Sequence, residues 1–472
     1  MKPTPFDIPS NWTWTTMGEI ADVVGGGTPR TNNPENYEGG TIPWITPADL
    51  SGYTAKNISH GERFITTKGL AGSSAKMMPS GTVLFSSRAP VGYVAIAANP
   101  VCTNQGFKSF VLKAKDILPD YIYWWLKGSK DLAESLASGT TFLELSGAKA
   151  KQLPIPLAPP GQQQSIVAEI EKQFSRLDEA VANLKRVKAN LKRYKASVLK
   201  AAVEGKLTED WRTQHPDVEP ASKLLERILA ERQESWVSKR KYKEPFEIDT
   251  TVLSPLPKGW IWAPLEAISE AIGGFAFESK NFTSTGFQVI KMANIRMGRI
   301  DISQKPSFIQ DVEADVAAKY GLIDGDLVVT LTGTRKKQDY GYVAVVKNAK
   351  GLLLNQRIAR LRPADGVLPQ FLELALQSDD YRNRFFAYET GNVGQGNVGM
   401  GAVTKVPITL APFAEQQHIV AEVERRLSVI EELETVVEAN LTRADRLRQA
   451  ILQKAFKGEL IMQLSHTTVA VS

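Results

Sequence analysis

The stretch LAPPGQQQSIVAEIE, Leu157 to Glu171, returns as LAPFAEQQHIVAEVE at Leu410 to Glu424, an offset of 253 residues. No other feature constrains the fold as much, because a segment doubled in register implies doubled surroundings. Both copies continue with helical periodicity. In the first, Ile170, Phe174, Leu177, Val181, Leu184, Leu191 and Val198 follow the alternating spacing of a heptad seam. Lys188 and Lys195 interrupt it, with Val187 and Tyr194 beside them as substitutes. The offset carries the seam onto Val423, Leu427, Ile430, Glu434, Val437, Ala444 and Ile451, mostly apolar again. Two helices with matching seams are expected to pack on each other. Each follows a proline-rich lead-in and ends at VEGKLT (Val203 to Thr208) or FKGELI (Phe456 to Ile461), where Gly205 and Gly458 fit helix C-caps. At ~1.5 Å per residue, a helix from Ile166 to Glu204 would be roughly 58 Å long, the dimension of a spacer.

The segments ahead of the helices also repeat, more faintly. IPSNWTW (Ile8 to Trp14) answers LPKGWIW (Leu256 to Trp262) at an offset of 248, which carries Ile20 onto Ile268 and Gly25-Gly26 onto Gly273-Gly274. GTVLFSSRAPVGYVAI (Gly81 to Ile96) parallels GDLVVTLTGTRKKQDYGYVAVV (Gly325 to Val346), and TNQGF (Thr103 to Phe107) parallels LNQRI (Leu354 to Ile358). Runs rich in Val, Ile, Phe, Tyr and Thr, broken by Gly and Pro, predict mostly β globules. The fold class is α+β: a globule over 1–152, a long helix over 153–208, a connector over 209–255, a second globule over 256–405, a second long helix over 406–461 and a tail over 462–472. In the connector, Leu224 and Ile228 mark a short amphipathic helix, and its basic SKRKYK reads as a solvated helix end before it reads as a phosphate contact. The two globules share a frame and differ in nearly all their polar residues, as expected if each reads something different.

Composition narrows the function. No run of about 18 apolar residues and no charged-then-apolar leader is found, so neither a membrane span nor a signal peptide is expected and the cytoplasm is the expected location. Cys102 is the single cysteine and sits among apolar neighbours, which predicts an inert buried thiol. His60, His215, His418 and His466 lie too far apart for zinc-ligand spacing, so no metal is implied. The formal charge of +6 suits a polyanionic partner without singling one out.

At LAPPGQQQSIVAEIE and LAPFAEQQHIVAEVE the chain resembles the specificity subunit of type I restriction-modification enzymes, over nearly its whole length. In that family each of two target-recognition domains opens with a phrase like LPKGW, and each is followed by a helix that starts with LAPxxEQQxIV and ends near GxL. The resemblance implies a DNA-binding subunit without a catalytic centre or cofactor of its own. Each recognition domain would read one half of a split double-stranded DNA sequence. The helices would form an antiparallel coiled coil that sets the gap. Two methyltransferase subunits using S-adenosylmethionine would dock on it and methylate adenine at N6, and restriction subunits would add cleavage driven by ATP with Mg. The first copy departs from the pattern at Gly161-Gln162, where the second has Ala414-Glu415.

The residues agree with a binding subunit. The chain has no Asn/Asp-Pro-Pro-aromatic motif, Gly25-Gly26-Gly27 opens no helical pattern, and Gly205-Lys206 is followed by Leu207 with no upstream glycine, unlike a nucleotide-binding loop. Half-sites of a split target lie about one helical turn, roughly 34 Å, apart or near a multiple, a scale that such a spacer suits. Polar loop residues at equivalent places are the DNA-contact candidates: Arg30, Thr31 and Asn32; Trp44, Thr46 and Asp49; Ser86, Ser87, Arg88 and Tyr93 in the first globule. In the second they are Lys291, Asn294 and Arg296; Thr332, Thr334, Arg335, Lys336, Lys337 and Tyr340; and Arg357, with Asn355 and Gln356 beside it. Arginine can pair with guanine and Asn or Gln with adenine, whereas the lysines suit phosphate. Against these readings, Arg88 fits a surface ion pair, Trp44 fits core packing, and the recurring Asn104-Gln105 and Asn355-Gln356 fit a shared structural bond. Trp12 and Trp260, repeated in place, read as fold determinants. Two other function classes compete: a coiled-coil scaffold whose globules bind protein or glycan, and a methyltransferase with unrecognisable motifs.

Overall fold

Two helices of 44 residues each, Pro160–Val203 and Phe413–Phe456, carry the doubled segments. The computed structural model describes residues 6–139, 143–236 and 242–461. It divides into two units, residues 1–187 with 437–472, and residues 188–436. Each unit therefore holds one globule, the first part of that globule's own helix and the last part of the other helix.

In the first unit, a five-stranded sheet runs in the order Ala21–Gly25, Lys108–Leu112, Val83–Ser87, Val91–Ala97, Asn57–Ile58. A three-stranded sheet runs Arg63–Ile65, Ile42–Ile45, Cys102–Thr103. Phe85, Phe110, Tyr121, Ile122 and Leu126 fill the space between the large sheet and the helix Pro119–Gly128, and Ile166 and Ile170 join the same core. So do Leu452, Ala455 and Phe456 from the far end of the other long helix, and Leu460 just beyond it. The Phe456 ring meets Tyr121 and Trp125 edge-on, with centroids 5.1 Å apart in each case.

The second unit repeats this frame. Its larger sheet runs Ser269–Gly273, Ile358–Pro363, Leu327–Thr330, Val343–Val345, and its smaller one Phe308–Ile309, Phe287–Ile290, Leu352–Leu354. The parallel pair in the smaller sheet recurs as well, Ile45 opposite Thr103 and Ile290 opposite Leu354. The doubled glycines have a steric reason: a Cβ on Gly26 or on Gly274 would lie 1.9 Å from the carbonyl oxygen of Asn104 or of Asn355. Val198 and Ala202 from the end of the first long helix pack with Ile419 and Val423 from the start of the second. Since the start of each helix meets the end of the other, the pair is antiparallel, as the resemblance implied.

The seam differs in detail from its heptad reading. Leu191, Val198, Ile430 and Val437 are buried, whereas Phe174, Leu177, Val181, Leu184, Leu427 and Ile451 are only partly covered. Val187 and Tyr194 do not substitute for the seam lysines; both are exposed, because a two-stranded coil covers a narrow stripe and these residues flank it. Lys195 instead lies 4.0 Å from Glu431. The connector carries the helix Ala221–Glu234, whose Leu224 and Ile228 are buried in the second globule's core. Residues 237–241 of the basic stretch and the tail 462–472 lie outside the described residues.

The EQQ-like phrase is the joint between globule and helix. Gln163 Nε2 donates to Ala158 O at 2.8 Å while its Oε1 accepts from Leu118 N at 3.0 Å. Gln416 does the same with Ala411 O and Leu368 N, both at 2.9 Å. Both amides are buried, so each must be satisfied, and each ties the lead-in to the first turn of a globule helix. One residue earlier, Gln162 Oε1 accepts from the Trp12 indole at 2.6 Å, and Glu415 Oε2 from the Trp260 indole at 2.9 Å. The glutamate has further partners that the glutamine lacks: its Oε1 accepts from Thr208 Oγ1 at 2.7 Å and from Arg212 Nη2 at 2.9 Å. The position equivalent to Thr208 in the first unit is Ile461, which has no hydroxyl to donate. Gly205 and Gly458, at φ +68° and +77°, close the helix ends against Pro257 and Pro9, beside the same two tryptophans.

Candidate nucleic-acid interface

The candidate residues fall into three groups once the fold is in place. Several are used up inside the globules. Trp44 is 2% exposed and its indole donates to Gly27 O at 2.8 Å, so it belongs to the core and not to a contact surface. Ser86 and Ser87 are buried, accepting from Tyr93 N and donating to Pro90 O and Gly106 O. Asn294 is buried and spends its amide on Lys291 N, Asp301 O and Gln304 O. Thr332 donates to the Met292 sulfur, and Tyr340 is fully buried. Trp44, Ser86, Ser87 and Asn294 bond mainly neighbouring backbone, while Thr332 and Tyr340 bond the side chains of Met292 and Glu389. Thr46 and Asp49 bond each other, the Asp49 carboxylate accepting Thr46 N and Oγ1 at 2.7 Å each and Glu62 N at 2.8 Å.

A second group is partly covered. Tyr93 packs against the core, and Lys291 Nζ donates to Ser307 Oγ at 2.6 Å. Arg88 lies 3.5 Å from Glu144, the ion pair that the surface reading anticipated. Lys108, 4.0 Å from the same carboxylate, has its pKa lowered, chiefly by burial.

The third group is exposed: Arg30, Thr31 and Asn32 in the first globule, and Arg296, Thr334, Arg335, Lys336, Lys337 and Arg357 in the second. Arg357 holds φ +68°, a left-handed backbone that a non-glycine residue adopts at a cost of about 1–3 kcal/mol. In the second globule the structure brings Arg296, Thr332 and Thr334 to one open cleft of about 480 Å³. Asp339, Tyr342, Gly394 and Gln395 line it too, none of which the sequence marked. Gln395 reaches it because the strand Gln395–Asn397 pairs antiparallel with Thr332–Thr334, placing Gln395 opposite Thr334. That small sheet and the hairpin of Ile295–Arg296 with Arg299–Ile300 belong to the second globule's own elaboration of the shared frame.

The backbone N–H groups of Asn104 and Asn355 bond Ile45 O and Ile290 O at equivalent crossings, but the side chains differ: Asn104 Oδ1 accepts from Gly106 N at 2.9 Å, whereas the buried Asn355 Oδ1 has no hydrogen-bond partner among the described residues. Cys102 is buried, its thiol pushed up to about 12 by desolvation, and donates to Pro43 O at 3.3 Å. Among the described residues there is no cluster that could hold a metal ion and no helix long and apolar enough to cross a membrane.

Residues 9–193 match the family described as the Type I restriction modification DNA specificity domain. Across 97% of this chain and 90% of the relative, the sequence is 24% identical to the type I restriction enzyme EcoKI specificity subunit of Escherichia coli. The chain is thus similar to type I specificity subunits over nearly its whole length. A higher identity, 42% over 181 residues, relates it to the MjaIX specificity subunit of Methanocaldococcus jannaschii, where the match spans 38% of this chain and only 40% of that relative. Its fold is shared with a solved type I R-M assembly component, at TM-score 0.64 and 20% identity over 96% of this chain and all of the other. The HsdS subunit of Thermoanaerobacter tengcongensis matches at TM-score 0.58 and 17% identity, over 97% of this chain and all of that one.

Proposed function

We propose that this specificity subunit reads a split double-stranded DNA sequence, one half per globule, and directs adenine-N6 methylation and restriction by partner subunits without performing chemistry itself. One observation carries the reading. The two globules share sheet order, glycine contacts and the glutamine joint, yet they differ in the residues exposed at the strand ends and loops. A frame held constant under changed tips is what independent readout of two half-sites requires. The doubled segments give the chain an approximate internal repeat, and in this reading its two copies offer equivalent faces to two methyltransferase subunits, even where the target is not palindromic. In this reading S-adenosylmethionine, ATP and Mg are handled by the partners, in the cytoplasm.

The test is a map of N6-methyladenine in DNA from cells expressing this chain with the methyltransferase encoded beside it, compared with cells lacking the chain. A split motif that appears only with the chain present is the expected result. Unchanged methylation, with partner expression and assembly verified, would refute the proposal and favour a scaffold binding protein or glycan.

A further inference from the structure

Resting on that function, we infer that Glu389 and Tyr340 form a positioning clamp that presents Arg335 to a single base pair of the second half-site. The observations start with the carboxylate. Glu389, its side chain 11% exposed, accepts from Arg335 Nε through Oε2 at 2.6 Å and from the Tyr340 hydroxyl through Oε1. Tyr340 is buried against Phe385 and Phe386, so the anchor of the carboxylate is the globule core. Space for the pair is made by glycine: a Cβ on Gly396 would lie 2.3 Å from Glu389 Oε1 and 2.4 Å from the Tyr340 oxygen. The turn that carries Arg335 is pinned as well. Thr334 N donates to Asp339 Oδ1 at 2.6 Å, and Arg382, lying over the Phe386 ring, donates to Gly341 O at 3.0 Å and Gln338 O at 3.3 Å.

This is more order than a surface ion pair needs. An exposed arginine loses much side-chain freedom when it docks on DNA, and holding Nε beforehand removes part of that cost. With Nε committed to Glu389, the two Nη groups have no hydrogen-bond partner among the described residues. They form the end-on fork that matches guanine O6 and N7. Glu389 also opposes approach of a phosphate, which favours a base edge as the arginine's partner. The first globule shows only a looser counterpart: Arg88, after the strand Val83–Ser87, lies 3.5 Å through an Nη from the half-exposed Glu144, which like Glu389 follows the globule's paired helices, so the clamp through Nε belongs to the second globule.

The experiment uses the full chain assembled with its methyltransferase partner and duplexes carrying the mapped site, with each base pair of the second half changed in turn. R335K and E389Q should each reduce discrimination at the same base pair by about tenfold or more, with first-half discrimination intact. R335K/E389Q should lose no more than R335K alone, because the glutamate acts through the arginine. Y340F, which keeps the ring packing, should show a weaker loss at that position. Full discrimination in E389Q, additive losses in the double variant, or an equal fall on every duplex would overturn the clamp. No split site with the wild-type chain would overturn the proposed function and this inference together, whereas a split site indifferent to E389Q and Y340F would overturn the inference alone.

Discussion

Replacing Glu415 by alanine tests whether the two joints, alike in geometry, differ in strength because one is charged. The Glu415 carboxylate is buried and accepts from Thr208, from Arg212 Nε and Nη2, and from the Trp260 indole. Removing it leaves a guanidinium only 18% exposed without its counter-ion, together with a buried hydroxyl and a buried indole N–H without an acceptor. Breaking a buried pair from one side costs about 3–5 kcal/mol. At roughly 2–4 °C per kcal/mol for a unit of this size, the transition of residues 188–436 should fall by roughly 6–20 °C. Gln162→Ala removes one neutral bond, from Trp12, and should cost about 0.5–1.5 kcal/mol in the other unit. Glu415→Gln retains an acceptor for Trp260 and should fall between the two. Differential scanning calorimetry of the full chain, with hydrogen exchange assigning each transition, reads the result. If Glu415→Ala costs no more than Gln162→Ala, the charged joint contributes nothing beyond its hydrogen bonds and the reasoning fails.

Other expectations follow from single positions. Gly205→Ala should destabilise by more than about 1 kcal/mol in urea unfolding, since φ is +68° and the new Cβ would lie 2.6 Å from Pro257. Gly161→Ala should instead stabilise the first long helix by about 0.5–1 kcal/mol, because nothing lies within 4 Å of the added carbon and the second copy has Ala414 there. Glu422 is pulled from the ordinary 4.5 down to about 2 by hydrogen bonds from Arg425 and then Arg426. A depressed carboxylate stabilises above its unfolded pKa, so that contribution should be present above pH 4.5 and lost as pH falls toward 2. Glu422→Gln should flatten the stability profile over that window. Lys336→Ala or Lys337→Ala should each reduce the slope of log K against log salt by about 0.9 if the lysine pairs with phosphate, measured by DNA-binding titrations.

The sequence by itself determined the frame. A periodic seam, a proline-rich lead-in and a glycine stop are local signals, and their repetition at one offset is enough to require two globules and two paired helices. It also marked Trp12, Trp260, Gln163 and Gln416 by their recurrence, though not their bonds to one another. What only the tertiary structure decided is which polar residues remain available. Trp44, Ser86, Asn294 and Tyr340 sit in phrases as polar or aromatic as those of Arg30 or Lys336, and only the partners folded against them place them inside. Glu389 and Gln395, which stand 54 and 61 positions beyond Arg335 and Thr334, enter the site through strand pairing and an ion pair that no local spacing encodes. Helical and strand periodicity report which face of an element is buried. They carry no record of which distant donor or acceptor will satisfy a polar group, and that satisfaction decides whether the group is structural or free to meet DNA.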